Sequence, residues 1–507
     1  MRRNLSLILF ALLQLVTYAI DNNAPQLADD NSNPKPIPDG SIFHIDDSLL
    51  RITCPSACIK PTSRPAIRGV FSHILRIHYT PKNTNCPYYL IIAENSLYNS
   101  LSNEIKTYAE DAHAVFGYGV YVETVQYPTP ENLKSLIISY SNNLCGTLFI
   151  GNLGESMYEV SNDHNKYGYK NWACDLYYMD IDGIWTDSDS NGIYDGHTGN
   201  VAPEIFLGRL SAYGLSSYGN EVDLIRRQLQ KSHNYWWKTS YHAQQTTLNY
   251  IDKDWERYFF IADSIKTVYS KQLITDIRND SISNIFSVSD YINRINSSTY
   301  GFTQLASHSD PVQHYFTNGD IFNYNIRYIN SNNYAYNLFC CSACNWLGAN
   351  TDGYFGGAYL FNNGKTMTVI GTTKIGGMYT VKRFYQPLIT KNIGEAYLQW
   401  WNSYGANHSD DDIYWIYGMT IMGDPIIDFR YNVSDLCVSN LSLTTFPSNN
   451  TSNLVLYRAE NKITVSGNFI IPQGVHVVFD APQVEFDGTF HCPLGASFET
   501  RSEGCEL

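Results

Sequence analysis

Short apolar runs alternate with amphipathic stretches through the middle of the chain. "YYLIIAE" (88–94) is apolar at almost every position, which predicts a strand covered on both faces. The amphipathic "SLSNEIKTYAEDAHAVF" follows, then a strand "GVYVETVQ", a helix opening after Pro130 with "ENLKSLIISYS", and a strand "GTLFIG" (146–151). Residues 152–210 are loop-rich and close on "PEIFLGRLSA", after which "NEVDLIRRQLQKSHNYWW" predicts a helix. The alternation then resumes with strands at 246–251, 272–277, 300–307, 335–343 and 365–372, helical stretches between them, and a long helix near 382–404. Strands alternating with helices predict parallel sheets, here two doubly wound α/β halves. From about 432 the chain turns to Ser, Asn, Thr and Val, with closely spaced apolar runs broken by Gly and Pro, which predicts a small all-β appendage. No long repeat is evident in it.

These patterns divide the chain into an apolar start at 1–19, an irregular leader at 20–84, α/β halves at 85–240 and 241–431, and a β-rich module at 432–507. Residues 1–19 carry Arg2 and Arg3, then "LSLILFALLQLV", then small or neutral residues, the layout of a secretory signal peptide. No later stretch is apolar for long enough to be a membrane helix, so a secreted or surface-attached protein is expected, in a compartment that permits disulfides. The formal net charge of -14 argues against nucleic acid and anionic membranes as partners, because phosphates would be repelled.

In an open parallel sheet, ligands sit beyond the carboxyl ends of the strands. Three predicted strands end on reactive residues: "TTLNYI" on Asp252, "YGFTQLAS" on His308, and "AYNLFCCSA" on Cys344. His308 and Cys344 are 36 positions apart, about one strand-helix-strand crossover, so their strands can be neighbours. An imidazole beside a thiol can take its proton and leave a nucleophilic thiolate, with a carboxylate orienting the ring. His314 is a rival base in the loop after Pro311.

Eleven cysteines leave at least one without an intramolecular partner. Cys54 with Cys58, and Cys492 with Cys505, are the expected staples. The strand is expected to run through Ala343, so Cys340 and Cys341 lie inside it as small core hydrophobes, and Cys344 alone reaches the loop. "CCSAC" lacks the second spaced Cys or His pair of a zinc site.

The order of "PEIFLGRLSA", a strand ending in an acid, "LASHSD", "CCSAC" and "IYGMTIMGDPIIDF" (416–429) resembles the gingipain-type cysteine peptidases, over roughly residues 85–430. The resemblance implies a caspase-like fold of tandem doubly wound α/β subdomains. It further implies Cys344 as nucleophile, His308 as base and then acid, Asp252 as the orienting group with Asp254 as its alternative, and an oxyanion hole from the backbone N–H groups of Ser309 and Cys344. Here Ser307 and Ser309 flank the histidine where the family has glycine. The implied activity is hydrolysis of protein or peptide substrates without a redox cofactor. Lys374 and Arg383, after the last core strand, are expected at the surface. A protein that keeps the fold and binds without turnover, using part of its 40 tyrosines, is the alternative.

One acidic stretch stands apart. "TDSDSNGIYDGH" (186–197) places Asp187, Asp189, Asn191 and Asp195 at alternating positions around Gly192, with the Ile193 carbonyl as a further oxygen. That is a Ca²⁺-binding pattern lacking the closing Glu, so a structural Ca²⁺ is expected; the alternative is a solvated Asp/Asn turn.

Overall fold

The computed structural model describes residues 69–237, 246–255, 274–278, 287–297, 300–429 and 437–505. The expected signal peptide and the Cys54/Cys58 pair lie outside them. Eleven strands form one sheet: β1 (Ser72–Tyr79), β2 (Tyr88–Glu94), β3 (Gly119–Gln126), β4 (Leu144–Ile150), β5 (Phe206–Leu210), β6 (Thr247–Ile251), β7 (Ile274–Arg278), β8 (Phe302–Ala306), β9 (Ala335–Phe339), β10 (Thr368–Thr372) and β11 (Met419–Gly423). Their order across the sheet is β1-β3-β2-β4-β5-β11-β10-β9-β8-β6-β7.

The order contains the same winding twice. From β2 the chain steps to β3 on one side and then to β4 on the other; from β6 it steps to β7 and then to β8. Pairs β2/β3, β2/β4, β4/β5, β6/β7, β6/β8, β8/β9 and β9/β10 are parallel, whereas β10/β11 and β1/β3 are antiparallel. A bridge between Arg209 and Met422 joins the halves. Tyr89 to Ala93 in β2 are all fully buried, as a strand covered on both faces requires. β1 comes from the expected leader; it is an edge strand with mostly exposed residues, so no buried apolar run marks it.

Helices form where caps and periodicity agree. α1 (Asn95–Phe116) stops at Gly117, whose φ of 73° and N–H bond to His113 O close the last turn. α2 (Pro130–Ser139) opens on a Thr129/Asn132 capping box with Pro130 in its first turn. α3 (Glu221–Trp237) packs on α1 and hydrogen-bonds Asp111 through His233 Nδ1 (2.6 Å) and Trp237 Nε1 (2.7 Å). The long helix expected near 382–404 is broken into Lys382–Tyr385, a turn at Pro387–Ile389, and Ile393–Asn402. Pro387 cannot donate to the helix ladder, and Asn392 starts the next helix as its cap.

The C-terminal module does carry a repeat. Strands β12 (Val438–Leu443), β13 (Leu454–Ile470), β14 (His476–Asp480), β15 (Gln483–His491) and β16 (Ser497–Arg501) pair in parallel, with Leu454 opposite His476, His476 opposite Ser497, and Lys462 opposite Gln483. Equivalent residues thus recur every 21 or 22 positions, the spacing of a parallel β-solenoid. Ala459/Ala481, Gly467/Gly488, Phe469/Phe490, Pro472/Pro493 and Gly474/Gly495 carry the repeat, too few matches to stand out in the sequence.

Buried ion pairs fix this module to α1: Arg458 Nη1 to Asp111 Oδ1 at 3.2 Å, and Arg501 Nη1 to Glu110 Oε2 at 2.6 Å. Its disulfide joins Cys437 to Cys505, so the expected Cys492–Cys505 pairing is replaced and Cys492 is a free thiol. Cys437 lay outside the expected pairs because only the folded solenoid brings it to Cys505.

Candidate active site

β8 and β9 are fully paired and buried, with Ala306 opposite Phe339 at their last residues. The register persists one residue further: Ser307 N donates to Phe339 O, and Ser307 Oγ lies 3.4 Å from Cys340 Sγ. His308 and Cys341 are the residues that follow these two, past the strand ends. β9 ends at Phe339, four residues before the expected end at Ala343, so strand alternation does not govern the thiols. They occupy a tight turn in which Ser342 takes a left-handed φ of 56° and donates its N–H to Lys374 O at 2.7 Å. A non-glycine residue in that region signals a backbone held by its surroundings.

The three thiols have different neighbours. Cys340 sits against Ser307, and burial pushes its pKa up to about 12. Cys344 is fully buried, and a Cβ added at Gly371 or Gly356 would come within 2.6 or 2.8 Å of its Sγ. Burial pushes this thiol up as well, and no hydrogen bond or ion pair joins it to His308 among the described residues. Its N–H, assigned above to the oxyanion hole, donates to Thr372 O at 3.0 Å. Cys341 is 4% exposed and lies near the buried Lys374 ammonium, which feels its charge.

His308 meets Asp254 rather than Asp252. Its Nε2 is 3.3 Å from Asp254 Oδ2, its ring packs on Trp255 with centroids 5.2 Å apart, and its buried Nδ1 has no hydrogen-bond partner among the described residues. Asp252 accepts from Thr317 Oγ1 at 2.6 Å, Thr317 N at 3.1 Å and Lys253 N at 2.7 Å, which fastens the end of β6 to the turn after Phe316. His314 is a core residue stacked on Phe355 at 3.5 Å, its pKa pushed down to about 3 by burial. Ser309 sits in extended backbone paired with His314, so this position asks no positive φ of a serine.

The profile of peptidase family C25 matches residues 82–430. The chain belongs to that family. No curated protein sequence matches it. Among solved structures it is similar to the Arg-specific cysteine proteinase gingipain R, RgpB, at 14% identity and TM-score 0.48, over 72% of this chain and 84% of that one. It is similar to the complex of the pro- and mature domains of Porphyromonas gingivalis RgpB at 12% identity and TM-score 0.47, over 70% and 84%. A structure described only as a protease aligns at 12% identity and TM-score 0.48, over 69% and 79%.

Beside the thiols, this C25 chain buries a charge pair that its sequence did not reveal. Lys374, expected at the surface, is 5% exposed and holds Asp163 Oδ1 at 2.8 Å, while its backbone carbonyl takes the Ser342 N–H. Burial lowers the pKa of this amine; Asp163 and Cys341 pull the other way. Arg383 is exposed as expected. Asp163 lies 211 residues from Lys374, a separation no local pattern can bridge.

The acidic stretch forms the end of a hairpin between Ile184–Thr186 and Gly196–Thr198. Asp187 turns inward to accept the N–H groups of Asn191 (3.1 Å) and Gly192 (2.8 Å), and Asn191 Oδ1 accepts Ile193 N. Asp189 and Asp195 instead converge with Glu159, from the strand Met157–Val160, with oxygens within 4.8 Å of one another. Glu159 is the ligand candidate that sequence spacing missed.

Proposed function

We propose that this C25 chain is an exported cysteine endopeptidase whose nucleophile is Cys341. The observation that carries this is the contact of Ser307 with Cys340 at the ends of neighbouring parallel strands, since His308 and Cys341 are the residues that follow them. His308 Nδ1 takes the Cys341 proton, and the sulfur attacks the scissile carbonyl carbon. The oxyanion is met by the main-chain N–H groups of Cys341 and Ser309, each such donor being worth about 3–4 kcal/mol. The imidazolium, steadied by Asp254, gives its proton to the leaving amine. Water deprotonated by the same histidine then hydrolyses the thioester and restores the thiol. Lys374 favours the thiolate by its charge. The test is cleavage of a mixed peptide library by wild type, Cys341→Ala and Cys344→Ala; loss of cleavage in Cys344→Ala alone would overturn the assignment.

Protein or peptide is the substrate class, and no helix among the described residues is long and apolar enough to cross a membrane. One observation favours the non-catalytic alternative: Cys341 and His308 are only 4% and 9% exposed. Absence of any cleaved peptide, with Cys341 inert to iodoacetamide, would decide for a binding protein.

The acidic hairpin is read as a structural Ca²⁺ site on Glu159, Asp189 and Asp195, whose carboxylate oxygens converge as hard-cation ligands do. Thermal melts with Ca²⁺ and with chelator test it; identical melting temperatures end it.

A further inference from the structure

The winding that places His308 between β6 and β8 occurs also between β2 and β4. At such a switch point the loops leave in opposite directions and open a crevice beyond the strand ends. The first half has one: a cavity of about 580 Å³ beyond β2, β3 and β4. Its size falls within the ~300–1,000 Å³ of small-ligand sites. Its nearest strand, β4, lies four strands from β9, about 19 Å at ~4.8 Å per step, and the loop after the thiols reaches it through Trp346, which meets Glu155.

The lining defines the ligand. Glu94 and Glu155 are the only charged residues among those that line the cavity; the others are apolar or neutral, including Asn99, Tyr127 and Asn152. Two carboxylates in a concave wall focus a negative potential. Tyr127, a half-exposed residue with a left-handed φ of 50°, packs its ring on Gly69 at the edge of the cavity and brings an aromatic group to an organic cation. The wall is preformed. Arg209 Nη1 donates to Leu153 O at 2.9 Å, and Glu155 Oε1 accepts Trp346 Nε1 at 3.3 Å, so this loop is fastened from behind.

We propose that this cavity binds a guanidinium or alkylammonium group through Glu94, Glu155 and the Tyr127 ring. The group can belong to a free amine or to a basic residue of a polypeptide, and the site works independently of peptide hydrolysis.

Calorimetry on the full chain carrying Cys341→Ala tests it, with arginine amide, the neutral citrulline amide, and a short peptide containing one arginine. Saturable binding of arginine amide without binding of citrulline amide is expected, weakened about tenfold or more by Glu94→Gln with Glu155→Gln. Binding by the peptide but not the free amide identifies a polypeptide source; equal binding identifies a free amine. Alkylating Cys341 in the wild-type chain is expected to leave the affinity unchanged. Citrulline amide binding as well as arginine amide, unchanged affinity in the double variant, or no saturable binding would overturn the proposal. Since no readout depends on turnover, an inactive peptidase would leave it standing.

Discussion

Ser307 and Cys340 lie side by side at the ends of neighbouring parallel strands, Oγ 3.4 Å from Sγ. Each is followed by a residue with chemistry, His308 and Cys341, in a family of cysteine peptidases.

Cys341→Ala is therefore expected to abolish peptide cleavage and to remove the fastest adduct formed with iodoacetamide at neutral pH. Cys344→Ala is expected to keep both and to lose on the order of 1–2 kcal/mol of stability, since its sulfur fills space against Gly356 and Gly371. Peptide mass mapping of the adduct with melting curves of both variants checks this.

The two aspartates after β6 separate in the same way. Asp254→Asn leaves an amide beside His308, so kcat is expected to fall with little change in melting temperature. Asp252→Asn disturbs three hydrogen bonds at a buried carboxylate and is expected to lose about 1–3 kcal/mol of stability. Kinetics and melts of both variants distinguish them; a kcat loss confined to Asp252→Asn would restore that residue to the orienting role.

Lys374→Met strands Asp163 as a buried unpaired carboxylate, with an expected loss of about 3–5 kcal/mol. Adding Asp163→Leu is expected to recover much of it. If Lys374 also favours the thiolate, the double variant folds yet alkylates at Cys341 more slowly at neutral pH. An unchanged rate would confine the pair to structure.

Acid is expected to loosen the solenoid from α1. His113 Nδ1 faces Tyr118 O at 2.7 Å and Nε2 faces Leu454 O at 3.0 Å, and burial holds its pKa down at about 4, against 6.5 normally. The unfolded chain then takes up this proton first. The stabilisation is complete above pH 6.5, declines as pH falls from 6.5 towards 4, and is gone below, an effect of up to about 3 kcal/mol. Hydrogen exchange at residues 452–456 across that range reads it locally; flat protection would remove His113 from the account.

The alternation of buried runs and amphipathic stretches made the two α/β halves legible, because strands covered on both faces are apolar at nearly every position. The end of β8 just before His308 was legible for the same reason. The end of β9 was not. Cys340 and Cys341 continue the apolar run of β9 without a break, and only the backbone shows that the strand stops at Phe339. Asp254 was visible as an alternative but could not be ranked, since the strand end that decides between it and Asp252 is set by pairing with β8. Lys374 looked like a surface residue because its partner Asp163 is remote in the chain.

The solenoid has a consequence of another kind. Within the stack the strands pair turn on turn, and the register restarts every 21 or 22 residues. Tandem duplication of one such segment would lengthen the stack by a single ~4.8 Å layer while leaving the sheet and its thiols untouched. A repeat of this kind can thus be lengthened by descent, one layer at a time, without rewriting the chemistry it accompanies.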